Sequence, residues 1–232
     1  MESTEILEGA DLILIWLATL IPLFATMFSF VYGLNKFFKK GKPLYLQSFT
    51  MAMGCHSLGS IYHLCQTIVN ESLIEGFTPA YLGRIGFFLF LLTASYGQMD
   101  RIVDDGSKEV KPSRYIALIA PLAAILLYLP SALMEDLPLE TKISVGLVWL
   151  PAVAAVYFNL KHFIIPDRDF GFIKVIKPYN LFATLLGFGE LLCLTAWDYL
   201  YTTQLLICSV IFAILCVVTM AAAKKGADRW TI

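Results

Sequence analysis

Charged residues are scarce in this 232-residue chain, at 15% against about 25% in a typical soluble domain, while 58% of its residues are hydrophobic. Both departures indicate contact with lipid, and the apolar content excludes a disordered chain. Seven helices of about 20 residues each would use roughly 140 residues, so no segment remains for a separate soluble domain. The composition therefore excludes a kinase, nucleotide-binding or DNA-binding module in the same chain.

Several chemical motifs are missing as well. The chain has only three histidines and no Cys-x-x-Cys or His-Glu-x-x-His spacing, so we expect no metal site. It has no glycine-rich phosphate loop and no serine nucleophile elbow, and its last apolar run has no lysine for a retinal Schiff base. Basic residues alternate with acidic ones, which argues against nucleic acid as a partner. The sequence thus predicts no cofactor and no catalytic residue.

The apolar residues form seven long runs, each sufficient to cross about 30 Å of hydrocarbon as a helix. Long continuous runs favour helices over a β-barrel, whose strands would alternate. The sequence predicts an all-α integral membrane protein, with residues 1–232 forming one seven-helix transmembrane domain. The predicted spans are about 11–33, 45–69, 80–99, 114–133, 143–163, 178–197 and 201–223.

The basic residues predict how the chain threads the membrane. With the N-terminus outside, fifteen of the seventeen Lys and Arg residues fall on the inner side, and only Arg84 and Lys142 fall outside. Such a bias sets the orientation of membrane proteins. We expect an outside N-terminus, a cytoplasmic C-terminus and a location in the plasma membrane, with the lipid bilayer as the main partner. The loop charges, including Asp100 at the inner end of the third span, are expected to be solvated.

A weak internal similarity links the second and sixth spans. One begins KPLYLQSFTMAMG and the other KPYNLFATLLGFG, so that Gly54 and Gly189 have the same offset from Lys-Pro. Seven spans allow a plan of three, one and three helices, in which the two groups of three have the same orientation. Parallel repeats of this kind occur in some transporters.

Glu190 lies in the middle of the sixth span, where an isolated carboxylate would cost several kcal/mol. It must be protonated or paired. His56 and His63 of the second span are seven residues apart and share a helix face. Counting 1.5 Å per residue from the inner boundary puts His56 at the depth of Glu190, and His63 near the depth of Asp198. If the two spans face each other, two acid–histidine pairs form.

Two further side chains complete the predicted ligand-binding site. Ser60 lies close to the histidine face, and Arg84 near the outer end of the third span either extends to lipid headgroups or binds an anionic ligand. The alternative for Glu190 is a structural bond between helices, and for the histidines it is packing. The predicted ligand-binding set is Glu190, His56, His63, Ser60, Arg84 and Asp198.

Four functions follow as hypotheses. The first is binding or transport of a small molecule through a polar site at the midplane between helices 2, 3 and 6. The second is a seven-helix sensor that signals to a separate cytoplasmic partner through residues 100–114 and 164–177. The third is an intramembrane enzyme that uses a His–Glu pair, and the fourth is a structural subunit of a membrane complex.

Overall fold

A computed structural model of the chain describes residues 9–70, 77–96, 100, 104–133, 138–166, 172–199 and 202–230. These residues form seven helices and no strand, which confirms the all-helical prediction. The helices are α1 (Gly9–Phe37), α2 (Leu44–Asn70), α3 (Pro79–Ser95), α4 (Lys111–Leu133), α5 (Leu139–Ile164), α6 (Phe172–Tyr199) and α7 (Thr202–Trp230).

Five of the helices are long and apolar enough to cross a membrane. These stretches are Ile13–Phe37, Lys111–Leu133, Leu139–Ile164, Val175–Ala196 and Thr203–Gly226. Helix α3 is equally apolar but has only 17 residues. Helix α2 has 27 residues, among them many serines, threonines and histidines. The apolar helices support a polytopic integral membrane protein in a lipid bilayer.

Proline and glycine explain local features of the helices. Helix α4 consists of Lys111–Ala117 and Ile119–Leu133, which meet at Leu118. Pro121 has no N–H to donate to the carbonyl four residues before it, and this missing bond accounts for the interruption. Between α1 and α2 the chain reverses at Gly41, whose φ of +87° is a conformation that side chains with a Cβ rarely adopt.

Six helices form a closed ring, in the order α1, α2, α3, α5, α6 and α7, in which each packs against its two neighbours. Helix α4 lies outside this ring against α5 and α6, where Trp149 of α5 donates its indole N–H to the carbonyl of Ala124 at 2.7 Å. The apolar stretch of α4 is 22% buried, whereas that of α6 is 61% buried. Helix α6, which carries Glu190, is therefore the most enclosed of the five apolar helices.

The interior of the ring is filled by large apolar side chains from several helices. The outward faces of the helices have exposed leucine, isoleucine and phenylalanine side chains, as expected for lipid contact. The fully buried residues at the centre include Phe49, Met53, Phe87, Phe88, Leu91, Leu186, Leu191 and Phe212.

Two glycines allow α2 and α3 to cross at very short range. A Cβ atom added to Gly83 would lie only 2.5 Å from the Cα of Gly59 and 2.7 Å from the carbonyl oxygen of Cys55. Small residues permit this approach between helix backbones in a membrane. The crossing lies beside Arg84 on α3 and one turn from His56 on α2, so it brings both side chains toward the same space.

We predict that Gly83→Ala destabilises the protein, because the added methyl group meets backbone atoms that cannot move aside. The expected loss is about 1–3 kcal/mol or more, the range for overpacked cores. The measurement is the midpoint of thermal unfolding in detergent.

Gly189→Ala serves as the matched control for this substitution. Its added Cβ would first meet the end of the Leu215 side chain, at 3.2 Å, and that side chain can shift. The control should lower the midpoint less than Gly83→Ala. Equal midpoints for the two variants would contradict the close crossing.

Candidate functional site

Glu190 is held in the interior by side chains from two other helices. Its carboxylate is 2% exposed, with Oε2 at 2.9 Å from Nε2 of His56 and Oε1 at 3.2 Å from Nε of Arg84. The arginine supplies the opposite charge that a buried carboxylate needs, and the histidine supplies a second polar partner. Glu190 therefore joins α6 to α2 and α3.

The ring of His56 is held by aromatic contacts and by polar contacts at both of its nitrogens. Its ring stacks on Phe212, with ring centres 4.8 Å apart, and meets the edge of Phe87 at 5.5 Å. An ionised carboxylate only accepts hydrogen bonds, so Nε2 carries the proton shared with Glu190. In the neutral ring Nδ1 is then an acceptor, and the hydroxyl of Ser60 lies 3.3 Å from it. A polar chain thus runs from Ser60 through His56 to Glu190.

Arg84 points inward and pairs with Glu190, so the alternative of an arginine extended to lipid headgroups is wrong. Its guanidinium also lies over the ring of Tyr81, at 5.9 Å from the ring centre. The side chain remains 23% exposed. Since Arg84 starts near the end of the bundle where α3 begins, it links the buried carboxylate to that end.

A small cavity adjoins Glu190 in the half of the bundle where α1, α3 and α7 begin. Its volume is about 40 Å³. One water molecule needs about 10–15 Å³ by this measure, so the space suits two or three waters or one small ion, whereas drug-sized ligands need several hundred Å³. We call it the Glu190 cavity; it is lined by Ala18, Thr19, Pro22, His56, Ser60, His63, Arg84, Glu190, Cys193, Leu205 and Ser209.

Five of the six predicted site residues line this one cavity: Glu190, His56, His63, Ser60 and Arg84. The side chain of Asp198 lies outside the part that the structure describes, so its pairing with His63 stays a prediction. The second and sixth spans face each other, as the His56–Glu190 pair requires, but they do so across the interior of the ring and not as packed neighbours. Within the described helices α2 packs along α1 and α3, and His56 reaches Glu190 across the interior.

Sequence reasoning missed the contributions of α1 and α7. Thr19 and Pro22 of α1 and Ser209 of α7 line the cavity, and Ser209 is 2% exposed. A hydroxyl residue within an apolar span was the available signal. It is a weak one, because a helix can satisfy such a hydroxyl by itself, as Thr19 does by donating to the carbonyl of Ile15 at 3.0 Å.

A second cluster of charges lies at the other end of the bundle, among α3, α4 and α5. Lys161 is 3% exposed and pairs with Asp100 and with Asp104, the latter at 3.2 Å. Arg114 Nε donates to Asp104 at 2.8 Å, and His162 Nε2 lies 2.8 Å from Asp100. We call these five residues the inner charge cluster.

The inner charge cluster corrects the expectation that loop charges are solvated. Its acids accept the hydrogen bonds of residues on neighbouring helices, so their charges serve to tie helices together. The hydrogen bonds from Arg114 hold the pKa of Asp104 at about 2, below its ordinary 3.8. Burial raises the pKa of Asp100, but hydrogen bonds from His162 and Lys161 outweigh it and lower the pKa overall.

Comparisons with known proteins add no family to this geometry. No protein-family model matches the chain, and the searches of curated proteins and of solved structures found no match either. Within the described residues, no group of three or more His, Cys, Asp or Glu side chains is arranged to hold a metal ion.

We predict that Asp104→Asn destabilises the protein, since it removes the charge that pairs with Arg114 and Lys161. The expected loss near neutral pH is on the order of 2 kcal/mol, typical of hydrogen bonds to charged groups. Because the folded protein lowers the pKa of Asp104, this contribution is present above pH 3.8 and is lost as the pH falls toward 2. Thermal midpoints measured across this range test both points.

Asp105→Asn is the matched control. Asp105 is exposed, and like Asp104 it accepts a backbone N–H two residues ahead, which asparagine can also do. The control should keep the midpoint and the pH profile of the unsubstituted protein. If both variants behave alike, the inner charge cluster contributes no stability.

Proposed function

We propose that the chain binds a small solute and carries it across the membrane, with seven transmembrane spans and its site between helices α2, α3 and α6. The observation that carries this proposal is the buried Glu190 carboxylate at the edge of a cavity. Ionisable groups within membrane spans are costly and usually mark the path of an ion, a proton or a substrate. The volume of the Glu190 cavity narrows the solute to the size of a few water molecules.

The asymmetry of the bundle supports a carrier. The Glu190 cavity lies toward one end, whereas at the other end the inner charge cluster joins α4, α5 and the segment between α3 and α4. Toward the end of the bundle that has the cluster, Tyr179 of α6 packs against Tyr45 and Phe49 of α2, with ring centres 5.2 and 5.7 Å apart. A carrier needs a site that reaches one side while the opposite side is shut, and this arrangement fits an outward-facing state.

We also propose the repeat of three, one and three helices. Around the ring, α1, α2 and α3 follow one another in the same order as α5, α6 and α7 do. Helix α4, which connects the two groups in the chain, lies outside the ring. This agreement supports a duplicated unit of three helices, a plan that places the solute site between the halves. His56 comes from one half and Glu190 from the other.

The enzyme alternative has one favourable observation, the chain of contacts from Ser60 through His56 to Glu190. A nucleophile, a base and an orienting acid are arranged in this way in hydrolases. Two features weigh against it here. Arg84 already neutralises the carboxylate, which weakens its support for a charged histidine, and a cavity of about 40 Å³ cannot hold the groups around a scissile carbonyl.

The sensor alternative relies on the inner loops. Asp104 and Arg114 fasten part of the segment 100–114 to Lys161 on α5. The segment is thereby tied to the helix bundle, and Lys108, Glu109 and Lys111 are exposed there. A cytoplasmic partner would have to contact these residues, while a carrier needs no such partner, so the cavity favours the carrier.

We predict an outside N-terminus, because the basic residues gather at one end of the bundle, and we propose the plasma membrane as the location of the protein. Single cysteines replacing Leu139 and Lys108, in a background without the five native cysteines, test this with a membrane-impermeant maleimide. Cysteine at 139 should react in intact cells, and cysteine at 108 only after lysis. The reverse pattern would overturn the threading.

We predict that Glu190→Gln reduces solute flux at least tenfold, because glutamine neither carries the charge paired with Arg84 nor exchanges a proton. Purified protein in liposomes is tested with sodium, potassium, ammonium, chloride and nitrate, and with a trapped dye that reports protons. At least one flux should exceed that of empty liposomes.

The exposed carboxyl of Glu140 provides the matched control. It accepts the backbone N–H of Phe77 at 3.4 Å and lies away from the cavity. Glu140→Gln makes the same chemical change and should leave the flux unaltered. No flux above empty liposomes, or equal flux in the two variants, would remove the proposed function.

A further inference from the structure

Arg84 brings more hydrogen-bond donors to the Glu190 cavity than Glu190 uses. Glu190 accepts only, and its two oxygens already face His56 and Arg84. The guanidinium of Arg84 has five N–H donors, of which one nitrogen, Nε, faces Glu190. The hydroxyl of Ser209 lines the same space, whereas that of Ser60 faces Nδ1 of His56. A solute that satisfies the remaining donors of Arg84 must accept hydrogen bonds, as an anion does.

The charges of the site sum to zero before any solute enters. With neutral histidines, the positive charge of Arg84 balances the negative charge of Glu190. An anion that entered alone would leave an uncompensated negative charge within the membrane, which is costly. A proton that enters with it restores the balance. A cation would instead lie beside the charge of Arg84, which repels it.

The Glu190–His56 pair is where that proton can bind. Its two side chains share one hydrogen bond, so the proton belongs to the pair and not to either residue alone. The charged or titratable groups facing Glu190 are His56 and His63 from α2, Arg84 from α3, and the thiols of Cys193 and Cys216 from α6 and α7. Helix α5 presents Val156 near Gly187, and α1 presents Thr19.

Protonation of the pair also frees Arg84. Once the pair has gained a proton and is neutral overall, the charge of the guanidinium is no longer balanced, and an anion in the cavity can balance it. The cavity, at about 40 Å³, admits a halide ion, which is comparable in size to a water molecule. Sulfate is larger and carries two negative charges, which one proton would not balance.

We propose that the Glu190 cavity binds one small inorganic anion of halide size together with one proton, with Arg84 holding the anion and the Glu190–His56 pair holding the proton. This inference rests on the proposed function and specifies its solute. The bound state is electrically neutral overall, so a proton gradient would drive the anion in the same direction.

The test measures anion binding directly on the purified full-length chain. Chloride, bromide, sulfate and gluconate are compared at equal ionic strength by thermal stabilisation, between about pH 6 and about pH 8, the range in which histidine pairs commonly titrate. Chloride and bromide should stabilise saturably, and sulfate and gluconate should not. With one proton per anion, the apparent halide affinity should fall up to tenfold for each unit of pH rise.

Two variants separate the roles of the residues. Glu190→Gln leaves Arg84 unbalanced, so halide should bind more tightly at about pH 8 and the pH dependence should disappear. Arg84→Gln combined with Glu190→Gln keeps the site neutral, so the protein should fold, but halide stabilisation should be lost. A dye in weakly buffered solution should report one proton taken up per halide by the unsubstituted protein and none by Glu190→Gln.

Several results would overturn this inference. They are the absence of saturable halide stabilisation, halide binding that is independent of pH in the unsubstituted protein, and equal stabilisation in the double variant. A flux of sodium or ammonium that depends on Glu190 would also overturn it while leaving the proposed function intact. Failure of every flux in liposomes would instead remove the proposed function itself.

Discussion

The cost of a carboxylate inside a membrane determines much of this structure. Glu190 is buried in the most enclosed apolar helix, away from bulk water, so its charge has to be met by the protein. Arg84 and His56 meet it from two different helices. Three helices are thereby linked at one point, and a polar space opens beside that point because the groups that satisfy the charge cannot pack like hydrocarbon.

The same constraint explains the glycines near the site. An arginine on α3 reaches a carboxylate on α6 only if α3 lies deep in the bundle, and the contact of Gly83 with Gly59 brings it there. At the opposite end, charges are also gathered between helices, yet Lys161, Asp100 and Asp104 meet each other directly. One end of the bundle thus has a cavity beside its ion pair, and the other has an ion network that joins its helices.

Part of the site could be predicted from the sequence because helix geometry is regular. A constant rise of 1.5 Å per residue placed His56 and Glu190 at one depth, and in the structure Nε2 of His56 lies 2.9 Å from Oε2 of Glu190. No comparable rule predicts the rotation of each helix about its own axis, which decides the neighbour that a given side chain meets. The second and sixth spans face each other across the interior of the ring, not as packed neighbours, and Asp100 is paired where the sequence predicted a solvated charge, because both features depend on how neighbouring helices are arranged around the ring.

The sequence by itself determined the helical class, the contact with lipid and the approximate position of most helices, since these depend on local composition and on the thickness of a bilayer. It also marked Glu190 as a residue that needs a partner. Only the tertiary structure decided that Arg84 is that partner together with His56, that α1 and α7 complete the cavity, and that α4 stands apart. These features depend on contacts between residues far apart in the chain, and no local pattern encodes the rotation of one helix against another.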